Sequence, residues 1–298
     1  MEQVQLQSRY ELAIIGCGPA GMAAALNAKI RNRDFILLGT ESGSAKLGKA
    51  PQIENYLGLP QISGVELNRH FLSHLESRQI SIVNQRVSAV YAGSRFTLML
   101  TDQVLEAEAV ILATGVSMQK PFPGEAQLLG RGVGYCATCD GPLYKDKRVA
   151  IISYTPEGEH EADFMATLGA QVVYIPFYKD VGSLDPRVEV KRTMIKGIHG
   201  QDRVESLELA GETLLLDGVF VLREFLPAEQ LVSGLEMYEQ VIRVDNSLKT
   251  NIAGLFAAGD CVGPPYQILK AVGQGSAAAL NAITYLDERK KNDGEGKN

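Results

Sequence analysis

The chain has 298 residues, 45% of them hydrophobic and 21% charged, with a formal net charge of −6. At ~100–200 residues per domain it is expected to fold as about two domains. No run approaches the ~18 consecutive apolar residues of a membrane span, the N-terminus lacks the basic and apolar regions of a secretory signal, and the acidic balance without a basic tract argues against nucleic acid, so a soluble cytoplasmic protein is expected.

Along the chain, YELAIIG at 10–16 reads as a buried strand, CGPAGMAAALNAKIRN as a glycine turn into an alanine-rich helix, and FILLG as a second strand. Gly16, Gly18 and Gly21 form GxGxxG between strand and helix. In such a turn the first glycine bends the chain, the second lets backbone approach a pyrophosphate, and the third permits tight helix packing, with the phosphates at the helix N-terminus. FILLG ends without a ribose-binding acid, so ribose contacts are expected from the loop 39–47, which holds Thr40, Glu41, Lys46 and Leu47. A helix, ELNRHFLSHLES, precedes two short strand candidates and a buried strand, AVILATG, at 109–115. His70 and His74 on that helix read as an exposed pair.

Prolines 121 and 123 break the pattern, and a domain boundary is placed near 117. Beyond it come CATC, a βαβ pattern at 149–175 and strand candidates at 203–209 and 213–222. GLFAAG at 254–259 reads as a strand and the helix from about 266 as a return to the first domain. The expected fold is α/β with two Rossmann-like three-layer domains, the second inserted into the first: 1–116 with 246–298, and 117–245. The last residues, ERKKNDGEGKN, read as a mobile polar tail.

Four cysteines are too few and too scattered for a disulphide scaffold. Cys136 and Cys139 are spaced to close a small disulphide ring, and a helix N-terminus or nearby charge would make thiolate available for exchange; Asp140 beside them could move the proton. Half a zinc site or two buried thiols are the alternatives. Zinc would need two further ligands and no second CxxC is present, so no metal is expected. Cys17 and Cys261 read as small packed residues.

Taken together, GCGPAG, IENYLG at 53–58, ATG at 113–115, GYCATCDG at 134–141 and GLFAAGDC at 254–261 resemble the low-molecular-weight thioredoxin reductases, over nearly the whole chain and in order. The resemblance implies the two-domain flavoprotein fold, FAD in the outer domain and a homodimer. It places cofactor contacts at Gly16, Gly18, Pro19, Ala20, Gly21, Thr40, Glu41, Lys46, Leu47, Asn55, Val87, Ala113, Thr114, Gly115, Gly259, Asp260, Gln267 and Ile268. It also implies that Cys139 faces the flavin, that Cys136 attacks the disulphide of a thioredoxin, and that Asp140 serves as acid and base.

One stretch departs from that family. At 149–164, VAIISYTPEGEHEADF has the outline of a second nucleotide-binding unit, where NADPH-dependent members carry GxGxxA followed after the next strand by a basic HRRxxxR segment. Here the loop is SYTPEG with one glycine, the next strand is followed by FYKDVGS, and Glu157, Glu159, Glu161 and Asp163 crowd the helix start. Residues 117–245 hold 13 basic against 20 acidic side chains, a net −7. First-turn carboxylates do complement a helix dipole. Missing glycines and arginines together still argue against NADPH.

The departure resembles the ferredoxin-dependent flavin thioredoxin reductases, in which reduced ferredoxin supplies electrons singly. The expected function is therefore an FAD-dependent disulphide reductase acting on thioredoxin or a thioredoxin-like protein, with ferredoxin as donor. An NADPH-dependent reductase with a divergent pocket is the alternative, and a noncatalytic flavin redox sensor is an alternative of another class. An acidic ferredoxin would favour a basic face, with Lys29, Arg31, Arg33, Lys46, Lys49, Lys290 and Lys291 as candidates.

Overall fold

The computed structural model describes residues 6–40, 42–100, 103–116, 121–223 and 228–295. The chain divides into two compact units, Met1–Val116 with Pro227–Asn298, and Ser117–Leu226. Among the described residues no helix is long and apolar enough to cross a membrane.

The first unit opens with β1 (Arg9–Ile15), α1 (Pro19–Ile30) and β2 (Phe35–Leu38), the right order for a parallel crossover. After α2 (Ala45–Gly48) and α3 (Gly64–Ser77) come β3 (Ile82–Val83), β4 (Val87–Tyr91), β5 (Phe96–Leu100) and β6 (Val104–Leu112). The strand read at 109–115 thus starts earlier and ends at Leu112. β6 is long enough to serve two arrangements: its first half pairs antiparallel with β5, while β1 runs parallel along most of its length.

The second unit follows with β7 (Val133–Gly134), α4 (Ala137–Asp140), a 3-10 turn over Gly141–Tyr144, β8 (Arg148–Ser153), α5 (Gly158–Thr167), β9 (Gln171–Pro176) and β10 (Glu189–Val190). β11 (Ile195–His199), β12 (Ser206–Leu209) and β13 (Thr213–Leu215) make an antiparallel sheet before β14 (Gly218–Leu222) returns to the parallel one, whose order is β10-β9-β8-β14-β7. Strand alternation separates the two faces. Val149 and Ile151 of β8 join Ala162, Met165 and Ala166 of α5, whereas Ala150 and Ile152 join Ile198, Leu207 and Leu214 of the antiparallel sheet. Helices, parallel sheet and antiparallel sheet are the three layers.

The chain re-enters the first unit with α6 (Ala228–Leu231), β15 (Met237–Tyr238), β16 (Val241–Ile242), β17 (Leu255–Ala257), a 3-10 turn over Gly259–Val262 and α7 (Ile268–Glu295). The second junction lies at 226/227 and not near 245, because α6 packs on β4 and Val232 bridges Val90. β17 pairs with the second half of β6. α1 and α7 lie against each other through Ala24, Ala25, Ala278, Ala279 and Ala282, and a Cβ on Gly275 would sit 2.0 Å from the Ala20 carbonyl oxygen. The residues read as a mobile tail are helical through Glu295: Arg289 donates to the Ser94 carbonyl between β4 and β5 and Lys290 pairs with Glu11 of β1, which ties this part of the helix to the sheet.

Inside the second unit one ion pair is fully buried. Arg223, just past β14 and 2% exposed, makes a two-pronged contact with Glu125, 0% exposed, at 2.5 and 2.7 Å. Glu125 also accepts from the Phe122 N–H at 2.8 Å and the Tyr135 hydroxyl at 3.0 Å, so its oxygens are well supplied with donors. Breaking such a pair strands a buried charge at about 3–5 kcal/mol. Arg223→Met is expected to lower the unfolding free energy obtained from urea titration by that amount, with a correspondingly lower midpoint, and Glu125→Gln/Arg223→Met to recover part of it; equal midpoints for Arg223→Met and the unaltered chain would contradict this.

Candidate functional site

The turn after β1 is shaped by contacts that leave no room for side chains. Gly16 has φ +108°, and a Cβ there would lie 2.2 Å from the Ala113 carbonyl oxygen; one on Gly21 would lie 1.7 Å from the Gly16 carbonyl oxygen. Gly18, the N-cap of α1, differs: a Cβ on it meets nothing within 4 Å. Pro19 takes the first helical position, no side chain caps the helix, and its first turn holds no acid. The N-terminal N–H groups and the positive end of the helix dipole therefore face open space beside Gly18, a setting for phosphate.

Other residues expected at the cofactor gather at the same ends of β1, β6 and β17. Ala113 N–H donates to Ile15, and Thr114 and Gly115 continue past β6. Ala20 packs under Gly259, whose N–H donates to Gln274 Oε1 at 3.0 Å. Asp260 pairs with Lys46 at 2.6 Å, and Lys46 lies over the Tyr266 ring. Asn55 Nδ2 donates to Gln267 Oε1 at 2.7 Å, Leu47 packs with Ile268 at the start of α7, and the Thr40 hydroxyl closes its own loop onto Gly43. Val87, which opens β4, takes no part in these contacts, and Glu41 lies outside the described residues. Sequence reasoning missed Lys270, whose ammonium donates to the Gly259 carbonyl at 2.9 Å and also to that of Gly263; partial burial lowers its pKa. It braces the loop that carries Asp260.

Cys136 and Cys139 form a disulphide at the start of α4, with Cα atoms 5.4 Å apart. Cys136 is the N-cap and its Sγ accepts from the Cys139 N–H at 3.2 Å. Cys139 is exposed and Cys136 half-buried. Asp140 keeps part of its surface exposed, and the partial burial of its carboxyl holds its pKa above the ordinary value, which extends the pH range in which it carries a proton to give. The remaining cysteines are remote from exchange chemistry: burial pushes the Cys261 thiol up to about 11, and Cys17 Sγ donates to the Thr40 carbonyl at 2.8 Å. Among the described residues no cluster of potential ligands could hold a metal ion.

The second βαβ repeats the first with its chemistry altered. Ser153, Thr155 and Gly158 occupy the places of Gly16, Gly18 and Gly21, and a Cβ on Gly158 would strike Ser153 Oγ at 2.3 Å, so only the third glycine is kept. Ser153 Oγ donates to the Thr155 carbonyl at 2.6 Å and accepts from the Thr155 N–H at 3.3 Å. At the C-terminal ends of β8 and β14, where an open parallel sheet of this order takes its ligand, Tyr154 stacks on Phe177 with centroids 4.8 Å apart and Arg223 lies over both Tyr154 and Phe122. Three of the four acids have partners: Glu159 accepts from the Tyr178 hydroxyl and the Gly182 N–H, Glu161 from the Ala137 N–H, and Asp163 from the Asp185 N–H. Arg192, which the sequence reading passed over, reaches this loop but donates to the Tyr178 and Lys179 carbonyls. In the proposed basic face, Arg33, Lys46 and Lys290 are each engaged with a carboxylate.

Residues 10–275 match the pyridine nucleotide-disulphide oxidoreductase family. The chain belongs to that family, among its low-molecular-weight thioredoxin reductases. A ferredoxin-flavin thioredoxin reductase from Clostridium acetobutylicum is 48% identical with a TM-score of 0.91, covering 94% of this chain and 99% of that one. Thioredoxin reductase of Ureaplasma parvum is 30% identical over 94% of this chain and 98% of its own length. The F component of the alkyl hydroperoxide reductase of Escherichia coli is 30% identical over 96% of this chain, which spans 60% of that longer protein. Membership implies a bound flavin, and the first cradle fits its dinucleotide: open at Gly18, uncapped, and free of acid in the first helical turn.

The two glycines should part company on mutation. Gly18→Ala is expected to keep the fold, within about 1 °C in Tm without cofactor, while weakening FAD at least about tenfold by occupying the phosphate approach; Gly21→Ala, forced into the Gly16 carbonyl, should destabilise the apoprotein itself. Thermal scans and fluorescence titration of released flavin measure both, and full flavin affinity in Gly18→Ala would rule the cradle out.

Proposed function

We propose that the protein is an FAD-dependent disulphide reductase that takes electrons from reduced ferredoxin, not NADPH, and passes them through Cys136 and Cys139 to a thioredoxin or thioredoxin-like protein. The observation that carries the donor assignment is the altered second crossing. Its Thr155 N–H is taken by Ser153 Oγ, Tyr154 stacks on Phe177 and under Arg223 at its strand ends, and its helix start carries Glu159 and Glu161. A dinucleotide phosphate needs donors and positive charge there, and meets side chains and carboxylates instead. The 48% identity to a ferredoxin-flavin thioredoxin reductase supports the same donor.

When bound, the flavin accepts electrons singly and delivers them as a pair. Two reduced ferredoxins and two protons convert the Cys136–Cys139 disulphide to two thiols. The Cys136 thiolate attacks one sulphur of the partner disulphide, Cys139 then attacks the mixed disulphide, and the partner leaves as a dithiol with the 136/139 ring restored. Asp140 is assigned as the proton donor and acceptor, consistent with its raised pKa.

Anaerobic mixing separates the donors. Reduced ferredoxin is expected to bleach the ~450 nm flavin band promptly and to drive thioredoxin reduction, with NADPH and NADH doing neither; prompt bleaching by NADPH would overturn the donor assignment. Cys136→Ser should keep a reducible flavin and lose transfer to thioredoxin, whereas Cys139→Ser should lose communication between flavin and dithiol. Unchanged turnover in either variant would refute the assigned roles.

A further inference from the structure

Glu161 belongs to the helix of the altered nucleotide unit, yet its carboxylate acts elsewhere. Oε2 accepts from the Ala137 N–H at 2.5 Å and from the Thr138 N–H at 3.4 Å, the first two donors of the helix that begins at Cys136. The third N–H of that turn, from Cys139, goes to Cys136 Sγ. Backbone N–H groups at a helix start ordinarily stabilise a thiolate at the N-cap and so lower the cysteine pKa. Here two of the three are given to a carboxylate held one peptide unit from the sulphur. α5 cannot easily carry Glu161 away, because Ala137 is fully buried against Ala162, Met165 and Ala166, and a Cβ on Gly141 would strike Phe164, Met165 and Leu168.

We propose that Glu161 is a positioning and tuning residue for the 136/139 couple: it anchors α4 on α5 and, by occupying the Ala137 and Thr138 N–H groups with negative charge, keeps the Cys136 thiolate disfavoured and the dithiol strongly reducing. The reduced couple is the disulphide plus two electrons and two protons. Withholding stabilisation from the thiolate therefore moves the equilibrium toward the disulphide at any pH where the thiol would ionise. Among the described residues, ionisable groups near the dithiol include Cys139 and Asp140 on α4 and Tyr144 from the following turn, while the Tyr135 hydroxyl donates to Glu125.

Glu161→Gln separates charge from anchoring, since the amide oxygen can still accept the Ala137 N–H. The holoprotein is equilibrated with a small dithiol redox buffer at about pH 6 and about pH 9, thiols are trapped by alkylation, and the midpoints are compared. This inference rests on reading 136/139 as the redox couple. Glu161→Gln is expected to leave the midpoint unchanged at about pH 6 and to shift it toward the dithiol by nearly tenfold, about 30 mV, at about pH 9. Glu161→Ala should add a loss of thermal stability that Glu161→Gln lacks. Coincident midpoints for Glu161→Gln and the unaltered chain at both pH values would overturn the proposal alone, whereas a disulphide that the dithiol buffer cannot reduce would overturn it together with the proposed function.

Discussion

A strand end and the first turn of the following helix must pass within contact distance if a βαβ unit is to close, and this chain meets that constraint twice with different atoms. In the first unit the crossing is Gly21 against the Gly16 carbonyl. In the second it is Gly158 against the Ser153 side chain. The third glycine is demanded by packing alone and is retained in both. The first is demanded by the close Ala113 carbonyl and the second only by the approach of a phosphate, and where Ser153 and Thr155 replace them the turn bonds to itself. One crossing is open at its middle position; the other is bonded to itself.

What the second crossing holds explains the negative charge in its helix. The carboxylates of α5 reach partners 22 to 24 residues away: Glu159 the loop after β9 at Gly182, Asp163 the Asp185 N–H, and Glu161 the helix that carries the dithiol. A helix in the position of a nucleotide-binding one has its acids engaged in binding protein N–H groups. Their charges are partly offset by those donors and by the helix dipole, so the fold tolerates them.

The sequence made much of this legible where the signal is local. GxGxxG, the buried strands around it and the CxxC spacing depend on residues within one turn, and their roles in the fold follow from sterics. Partners distant in sequence were not legible. Nothing near Glu161 announces Ala137, nothing in the spacing of Arg192 announces the Tyr178 and Lys179 carbonyls, and the buried Glu125–Arg223 pair joins residues 98 apart. The return to the first unit at 226/227 escaped for the same reason, since it is defined by α6 lying on β4 and not by any break in composition. The polar C-terminus read as a tail because polarity alone does not reveal that Lys290 has Glu11 to pair with.

Equilibrium binding of NADPH and of 2′,5′-ADP to the oxidised holoprotein, followed by calorimetry, tests the central claim that the second crossing no longer accepts a dinucleotide phosphate. The account predicts no saturable heat from either ligand up to about 1 mM, corresponding to less than about 4 kcal/mol of binding free energy. Saturation by NADPH in the micromolar range, lost when Arg192 is replaced, would contradict it.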